Sequence, residues 1–218
     1  MNYFFIADTI LFQGMSPAET EQMLTCLSAK TKKFEKNQAI CRIGDRISAM
    51  GLVLSGAANI IRHDVWGNQA ILDHVQRGQV FGETYACLRE EPMMVDVIAS
   101  EKTEILFLAV NRVMETCSSN CSFHSRLIRN LIYTLAKRNL ALTSKMDHIT
   151  PRTIRDRVLS YLSAQSVRQG SYTFEIPFNR QQLADYLSVD RSALSAELSR
   201  LQKEQRISFQ KNKFTLHL

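Results

Sequence analysis

The chain has 218 residues, of which 45% are apolar, 8% aromatic and 22% charged, enough for the core of one large domain or two small ones. Eight Gly and four Pro exclude a fibrous or low-complexity chain, no apolar run reaches the length of a membrane span, and five Cys without regular spacing argue against a disulfide framework. The net charge of +6 is uneven: residues 151–218 carry 11 Lys plus Arg against 6 Asp plus Glu, whereas residues 1–150 nearly balance at 16 against 15. A basic last third is the footprint of a nucleic-acid-binding segment. The opening residues MNYFFIADTILF lack the cationic flank and small-residue cleavage site of a signal peptide, so a cytoplasmic protein with reduced thiols and no membrane partner is expected.

In chain order, residues 16–28 predict a short helix, with Ser16 as its cap and Pro17 at its first position. Gly44, Gly56, Gly67 and Gly78 then recur at spacings of 12, 11 and 11, bounding short apolar runs at 50–54, 57–61 and 69–75. Turns at that spacing predict an all-β meander, sandwich or roll, with Gly67-Asn68 at a hairpin tip and further strands at 95–99 and 104–110. From 111 to 146 the pattern changes to a long helix free of Gly and Pro, in which Ile128, Leu131, Leu135 and Leu142 form a seam. A long helix joining two domains suits a two-helix coiled coil between subunits, so this seam is the expected dimer interface. Residues 147–151 are read as a hinge, because the residue before Pro151 is pushed out of helical geometry.

Residues 179–201 read as two amphipathic helices joined by a tight turn. Asn179 and Gln182 suit a capping box, Asp190 caps the second helix, and Leu194, Leu198 and Leu201 anchor it along one stripe. The opposite stripe carries Arg191, Ser192, Ser195, Ala196, Ser199 and Arg200, side chains fitted to a helix lying in a major groove. A helical hairpin with a solvated face would show the same periodicity. The C-terminal segment favours DNA: residues 207–218 alternate about a Lys211-Asn212-Lys213 turn, a two-stranded wing with a basic tip. Arg180, Lys211 and Lys213 join the stripe as expected DNA contacts, and Arg155 and Arg157 are expected to meet phosphate or solvent.

Roll, long helix, hinge and winged helix-turn-helix, in that order, resemble the cyclic-AMP receptor and fumarate-nitrate-reduction (CRP/FNR) regulators over nearly the whole chain. The segments that carry the resemblance are Arg42-Ile43-Gly44-Asp45, Val53-Leu54-Ser55-Gly56, Gly78-Gln79-Val80-Phe81-Gly82-Glu83, Leu183-Ala184-Asp185-Tyr186-Leu187 and Arg191-Ser192-Ala193-Leu194-Ser195. It implies an α+β chain: a β-roll of the double-stranded β-helix (jelly-roll) type over 1–110, a dimerisation helix over 111–146, a hinge over 147–151 and a winged helix-turn-helix over 152–218. It further implies a homodimeric bacterial transcription factor and not an enzyme, with double-stranded DNA and RNA polymerase as partners and a small effector in the roll, set by Gly82, Glu83, Thr84, Met93, Met94 and Asp96.

The departures from the family pattern bear on the effector. Cyclic-nucleotide members hold the ribose with a Glu, retained as Glu83, and the phosphate with an Arg directly after the roll's proline; here Pro92 is followed by Met93. An anionic phosphate loses its charge-assisted partner, and an inward Asp96 would repel it, so an effector other than cyclic AMP is expected. Cys26, Cys41, Cys87, Cys117 and Cys121 do not form the clustered set of iron-sulfur members, although a redox role for Cys117 and Cys121 stays open. Haem is an alternative, with His63, His74, Cys87, Met93, Met94 and Met146 as candidate axial ligands. Relatives commonly carry Arg at the position of Ala196, which leaves open either a changed operator or a module that has lost specific DNA binding.

Overall fold

A computed structural model describes residues 1–64, 66, 69–88, 90–114 and 122–217. The chain divides into two compact units, Met1–Leu135 and Ala136–Leu218.

The first unit opens with α1 (Tyr3–Ala7) and α2 (Pro17–Cys26). Ser16 caps α2 as expected: its hydroxyl accepts from the Glu19 N–H, and the Glu19 carboxylate accepts from the Ser16 N–H at 2.6 Å. Strands follow as β1 (Lys30–Phe34), β2 (Ala39–Cys41), β3 (Ala49–Ser55), β4 (Ala58–His63), β5 (Gln69–Val75) and β6 (Val80–Phe81). After α3 (Glu83–Cys87) come β7 (Asp96–Ala99), β8 (Thr103–Ala109) and α4 (Val110–Met114). Antiparallel pairing builds two four-stranded sheets, β1-β8-β3-β6 and β2-β7-β4-β5. The Gly67-Asn68 tip lies outside the described residues.

Two apolar layers hold the roll. One contains Phe34, Cys41, Val53, Ala58, Val75, Phe81, Met93, Val97, Ala99 and Ile105, drawn from strands of both sheets, so it fills the space between them. The other joins Met50, Leu52, Leu106 and Leu108, on the opposite side of β3 and β8, to the helices, including Leu127 and Leu131. Gly56 is forced by geometry: its φ is +74°, and a Cβ would lie 2.4 Å from the Lys102 carbonyl oxygen.

The long helix α5 runs Ser122–Ile149. It ends three residues later than expected, so the non-helical link is 150–153 rather than 147–151; proline restricts only the residue directly before it, and Ile149 stays helical. Residues 115–121, with Cys117 and Cys121, lie outside the described residues.

The second unit continues with α6 (Ile154–Gln169), β9 (Thr173–Glu175), α7 (Arg180–Leu187), α8 (Arg191–Lys203), β10 (Ile207–Gln210) and β11 (Lys213–Leu216). The wing has a third strand that periodicity missed, since three residues are too few to show alternation: the order is β10-β11-β9. Its core is Val158, Tyr161, Leu162, Phe174, Ile176, Leu183, Ala184, Leu187, Leu194, Leu198, Leu201, Ile207 and Phe214.

Candidate DNA-binding and effector sites

The helix-turn-helix is set by its caps. Asn179 Oδ1 accepts from the Gln182 N–H at 3.0 Å while Gln182 Oε1 accepts from the Asn179 N–H at 2.9 Å, which fixes the start of α7. Ser188 ends it in the left-handed region at φ +54°, and the Val189 N–H bonds the Ala184 carbonyl at 3.0 Å. Asp190 then caps α8 by accepting from the Ala193 N–H at 2.9 Å, and its carboxyl is held below the usual range first by the Ser192 hydroxyl and then by the Ala193 N–H.

Leu194, Leu198 and Leu201 are fully buried, which turns Arg191, Ser192, Ala196, Ser199 and Arg200 outward, with Ser195 half-buried beside them. Ser195 and Ser199 donate their hydroxyls to the Arg191 and Ser195 carbonyls. Lys211 and Lys213 are exposed at the β10–β11 turn. Arg180, expected as a free phosphate contact, is half-buried: its guanidinium stands 4.9 Å from the Phe209 ring centre and 5.9 Å from that of Phe214. It nevertheless lines, with Asn179, Gln182, Lys211 and Asn212, a cleft of about 490 Å³ at the start of α7.

Arg155 and Arg157, expected to meet phosphate or solvent, are only partly exposed and are engaged within the unit. Arg155 binds Glu197 at 2.8 Å and Glu204 at 2.6 Å, and Glu197 also takes Arg200 at 3.0 Å. The two carboxylates push the Arg155 pKa up, Glu204 most, and Arg155 pulls that of Glu204 down. Arg157 donates to the carbonyls of Pro151, Leu187 and Ser188. Both therefore brace the helix-turn-helix from behind. Glu197, buried among leucines, is the signal that sequence reading passed over, because a carboxylate inside an apolar stripe requires a cation.

In the roll, Glu83 is buried and Met93 is 3% exposed within the layer between the sheets. Gly82 caps α3 at φ +73°, with Ile47 within 2.9 Å of where a Cβ would stand. Thr84 and Met94 are exposed and do not line that layer. Asp96 is also corrected: strand alternation sends Val97 and Ala99 inward, so Asp96 faces outward, 2.9 Å from His63 Nε2, and accepts from the Ile43 N–H at 2.7 Å. The expected repulsion of an anion by Asp96 thus falls away.

The haem candidates within the roll do not converge. His63 lies outside with Asp96, and His74, exposed, bonds Asn59 Oδ1 at 2.6 Å. Cys87, Met94 and Met146 are exposed, and Met93 alone enters the apolar layer. Among the described residues no group of three or more His, Cys, Asp or Glu could hold a metal ion.

Comparison with known proteins resolves the class. The cyclic nucleotide-binding domain family matches residues 31–120, and the Crp-like helix-turn-helix domain family matches residues 156–217. The chain belongs to the CRP/FNR family of transcription regulators. The Cyclic AMP receptor protein of Thermus thermophilus is 26% identical over 201 residues, spanning 89% of this chain and 86% of that one. Solved CRP/FNR-type structures share the fold. The Thermus thermophilus Catabolite Activator Protein is 24% identical with a TM-score of 0.52, covering 96% of this chain and 94% of its own. CLP of Xanthomonas campestris, described as c-di-GMP responsive, is 18% identical with a TM-score of 0.54, covering 91% and 99%. CprK complexed with OCPA is 15% identical with a TM-score of 0.59, covering 90% and 88%. This CRP/FNR chain is accordingly a DNA-binding transcription regulator with a small-molecule domain of the cyclic-nucleotide-binding type. Among the described residues no helix is long and apolar enough to cross a membrane.

Of the residues expected to form the dimer seam, Leu131 lies in the core of its own unit and Leu142 is exposed. Leu131 is 2% exposed in the roll's own core, with Ile128 and Leu135 packed against that core, and the first half of α5 is tied to the N-terminal segment by Asn130, which donates to the Leu11 and Gln13 carbonyls at 3.0 Å. Leu142 is exposed, as are Ile132, Ala136, Leu140 and Thr143, which follow one another at helical spacing.

Proposed function

We propose that this regulator acts as a homodimer controlled by an effector other than cyclic AMP, and that it reads a pseudo-palindromic operator. The observation that carries the effector reading is Met93: an apolar side chain, buried in the layer that also holds Phe34 and Phe81, stands where the resemblance places the phosphate-binding Arg of cyclic-nucleotide members. A buried phosphate needs a cation or several N–H donors, and a thioether supplies neither. Proteins of this fold described as a cyclic AMP receptor, as c-di-GMP responsive and as complexed with OCPA support the idea that one roll accommodates different effectors. Glu83, retained and buried, is the polar group offered to such an effector.

On the DNA side, Arg191, Ser192, Ser195, Ala196, Ser199 and Arg200 form the reading surface, and Lys211 and Lys213 the phosphate contacts of the wing. The exposed row Ile132, Ala136, Leu140 and Thr143 supports pairing of α5 with its symmetry mate, replacing Leu131 in the seam. RNA polymerase is the partner expected of a regulator that activates. Calorimetry with cyclic AMP tests the effector reading: no binding is expected up to about 1 mM, where association is worth only about −4 kcal/mol. Micromolar binding accompanied by tighter operator affinity would overturn it and give Glu83 a ribose-binding role.

A further inference from the structure

The exposed face of α8 has short side chains at its centre and long ones only at its edges. Ser192, Ala196 and Ser199 follow one another at i, i+4 and i+7, opposite the buried Leu194, Leu198 and Leu201, so they run down the middle of the face, and all three are exposed. The two arginines flank that line. Arg191, at the first position of the helix, makes no ion pair among the described residues, whereas Arg200, roughly 14 Å further along the axis, is held by Glu197 at 3.0 Å. Glu197 is buried and also takes Arg155 at 2.8 Å, so the charge of Arg200 is met within the unit.

The hydroxyl protons of the middle line are already spent. Ser192 donates to Asp190 Oδ1 and Ser199 to the Ser195 carbonyl at 3.0 Å, while Ser195 beside them donates to the Arg191 carbonyl at 2.9 Å. The Asp190 carboxyl, held below its usual range first by Ser192, is ionised at neutral pH and keeps that proton. The line therefore offers a groove an acceptor, a methyl group and a second acceptor. In the major groove an A·T pair presents an amino donor, adenine N6, together with the thymine C5-methyl, whereas a G·C pair presents the cytosine N4 donor and no methyl. An acceptor beside a methyl thus matches A·T.

We propose, on the basis of the reading surface set out above, that Ala196 determines operator specificity: its methyl packs on the C5-methyl of one thymine in each half-site, and Ser192 and Ser199 accept from adenine amino groups around it. Arg191 stays free to take a guanine at the edge of the same face. The centre of each half-site is accordingly A·T, and the assignment does not depend on which effector the roll takes.

Selection from random duplexes with the full chain supplies the preferred operator, and each thymine of one half-site is then replaced in turn by deoxyuridine, which removes only the C5-methyl. Fluorescence anisotropy should show one thymine whose replacement weakens binding about threefold, the size expected of one buried methyl group. In Ala196→Gly the same replacement should change affinity by less than about 1.5-fold, since the two methyl groups are coupled. Each protein is compared with itself on the two duplexes, so a general loss of affinity in the glycine variant cancels. A selected operator in which no thymine methyl matters to the parent overturns the assignment and leaves DNA reading standing, as does a methyl effect undiminished in Ala196→Gly. Failure to select any sequence overturns the reading surface and this assignment together.

Discussion

Three carbonyl oxygens, those of Pro151, Leu187 and Ser188, converge on the Arg157 guanidinium, and two carboxylates converge on Arg155. These bonds tie α6 to the turn between α7 and α8 and to α8 itself, so they hold the unit together away from the reading face. Arg157→Met should cost about 1–3 kcal/mol, because it strips partners from carbonyls that cannot all be resolvated. Urea denaturation would measure the loss, and the folded fraction should keep its sequence preference. Arg191→Ala should do the opposite. It leaves stability within about 0.5 kcal/mol, being a surface change, yet costs about 1–3 kcal/mol of discrimination if Arg191 forks onto a base. Selection from random duplexes would read this, and unchanged preference would remove Arg191 from the reading surface. The exposure of Arg191 followed from leucine spacing alone. The inward turn of Arg155 did not, because its partners Glu197 and Glu204 lie more than forty residues away in sequence and no local pattern links them.

At the scale of elements, α5 does two jobs along one length. Its first half gives Leu127 and Leu131 to the roll, while its second half is largely exposed save for His148, which is buried between Tyr161 and Tyr186 and bonded to Ser160 Oγ at 3.0 Å. Heptad-like spacing announced an apolar stripe but not which neighbour would cover it, since a helix packing on its own domain and one packing on a partner bury the same residue types. Leu131→Ala should therefore destabilise the roll by about 2–5 kcal/mol in thermal melts and leave the association state unchanged. Leu140→Lys should leave the melt nearly unchanged and yield monomers in sedimentation, because it forces two like charges into the proposed seam of Ile132, Ala136, Leu140 and Thr143. A reversal of these two results would return the seam to Leu131.

His148 adds a pH dependence at the same element. Burial lowers its pKa, outweighing the opposite pull of Asp147, so the folded state prefers the neutral ring. For a His with a depressed pKa, the contribution to stability is whole above the unfolded value of about 6.5 and is lost as pH falls below it. The melting temperature of the parent should thus fall more steeply between about pH 6.5 and 5 than that of His148→Gln. Parallel curves would show that the ring is not neutral in the folded chain.

For the molecule as a whole, the order of roll, long helix and winged helix-turn-helix was legible from glycine spacing, a change of period and the charge of the last third, all local or additive signals. The site inside the roll was less so. Met93 and Met94 are adjacent and chemically alike, yet one is buried between the sheets and the other is 66% exposed, a distinction made by the path of the chain rather than by residue type. Symmetry provides the last test. If two chains pair along α5, each presents one α8, and the operator needs two half-sites about one helical turn of roughly 10 bp apart, or a multiple of it. Inserting about 5 bp between the half-sites places them on opposite faces of the duplex and should reduce affinity to that of one half-site, whereas about 10 bp restores the facing. A monomer would bind all three duplexes equally, and gel shifts with the set would then refute the homodimer.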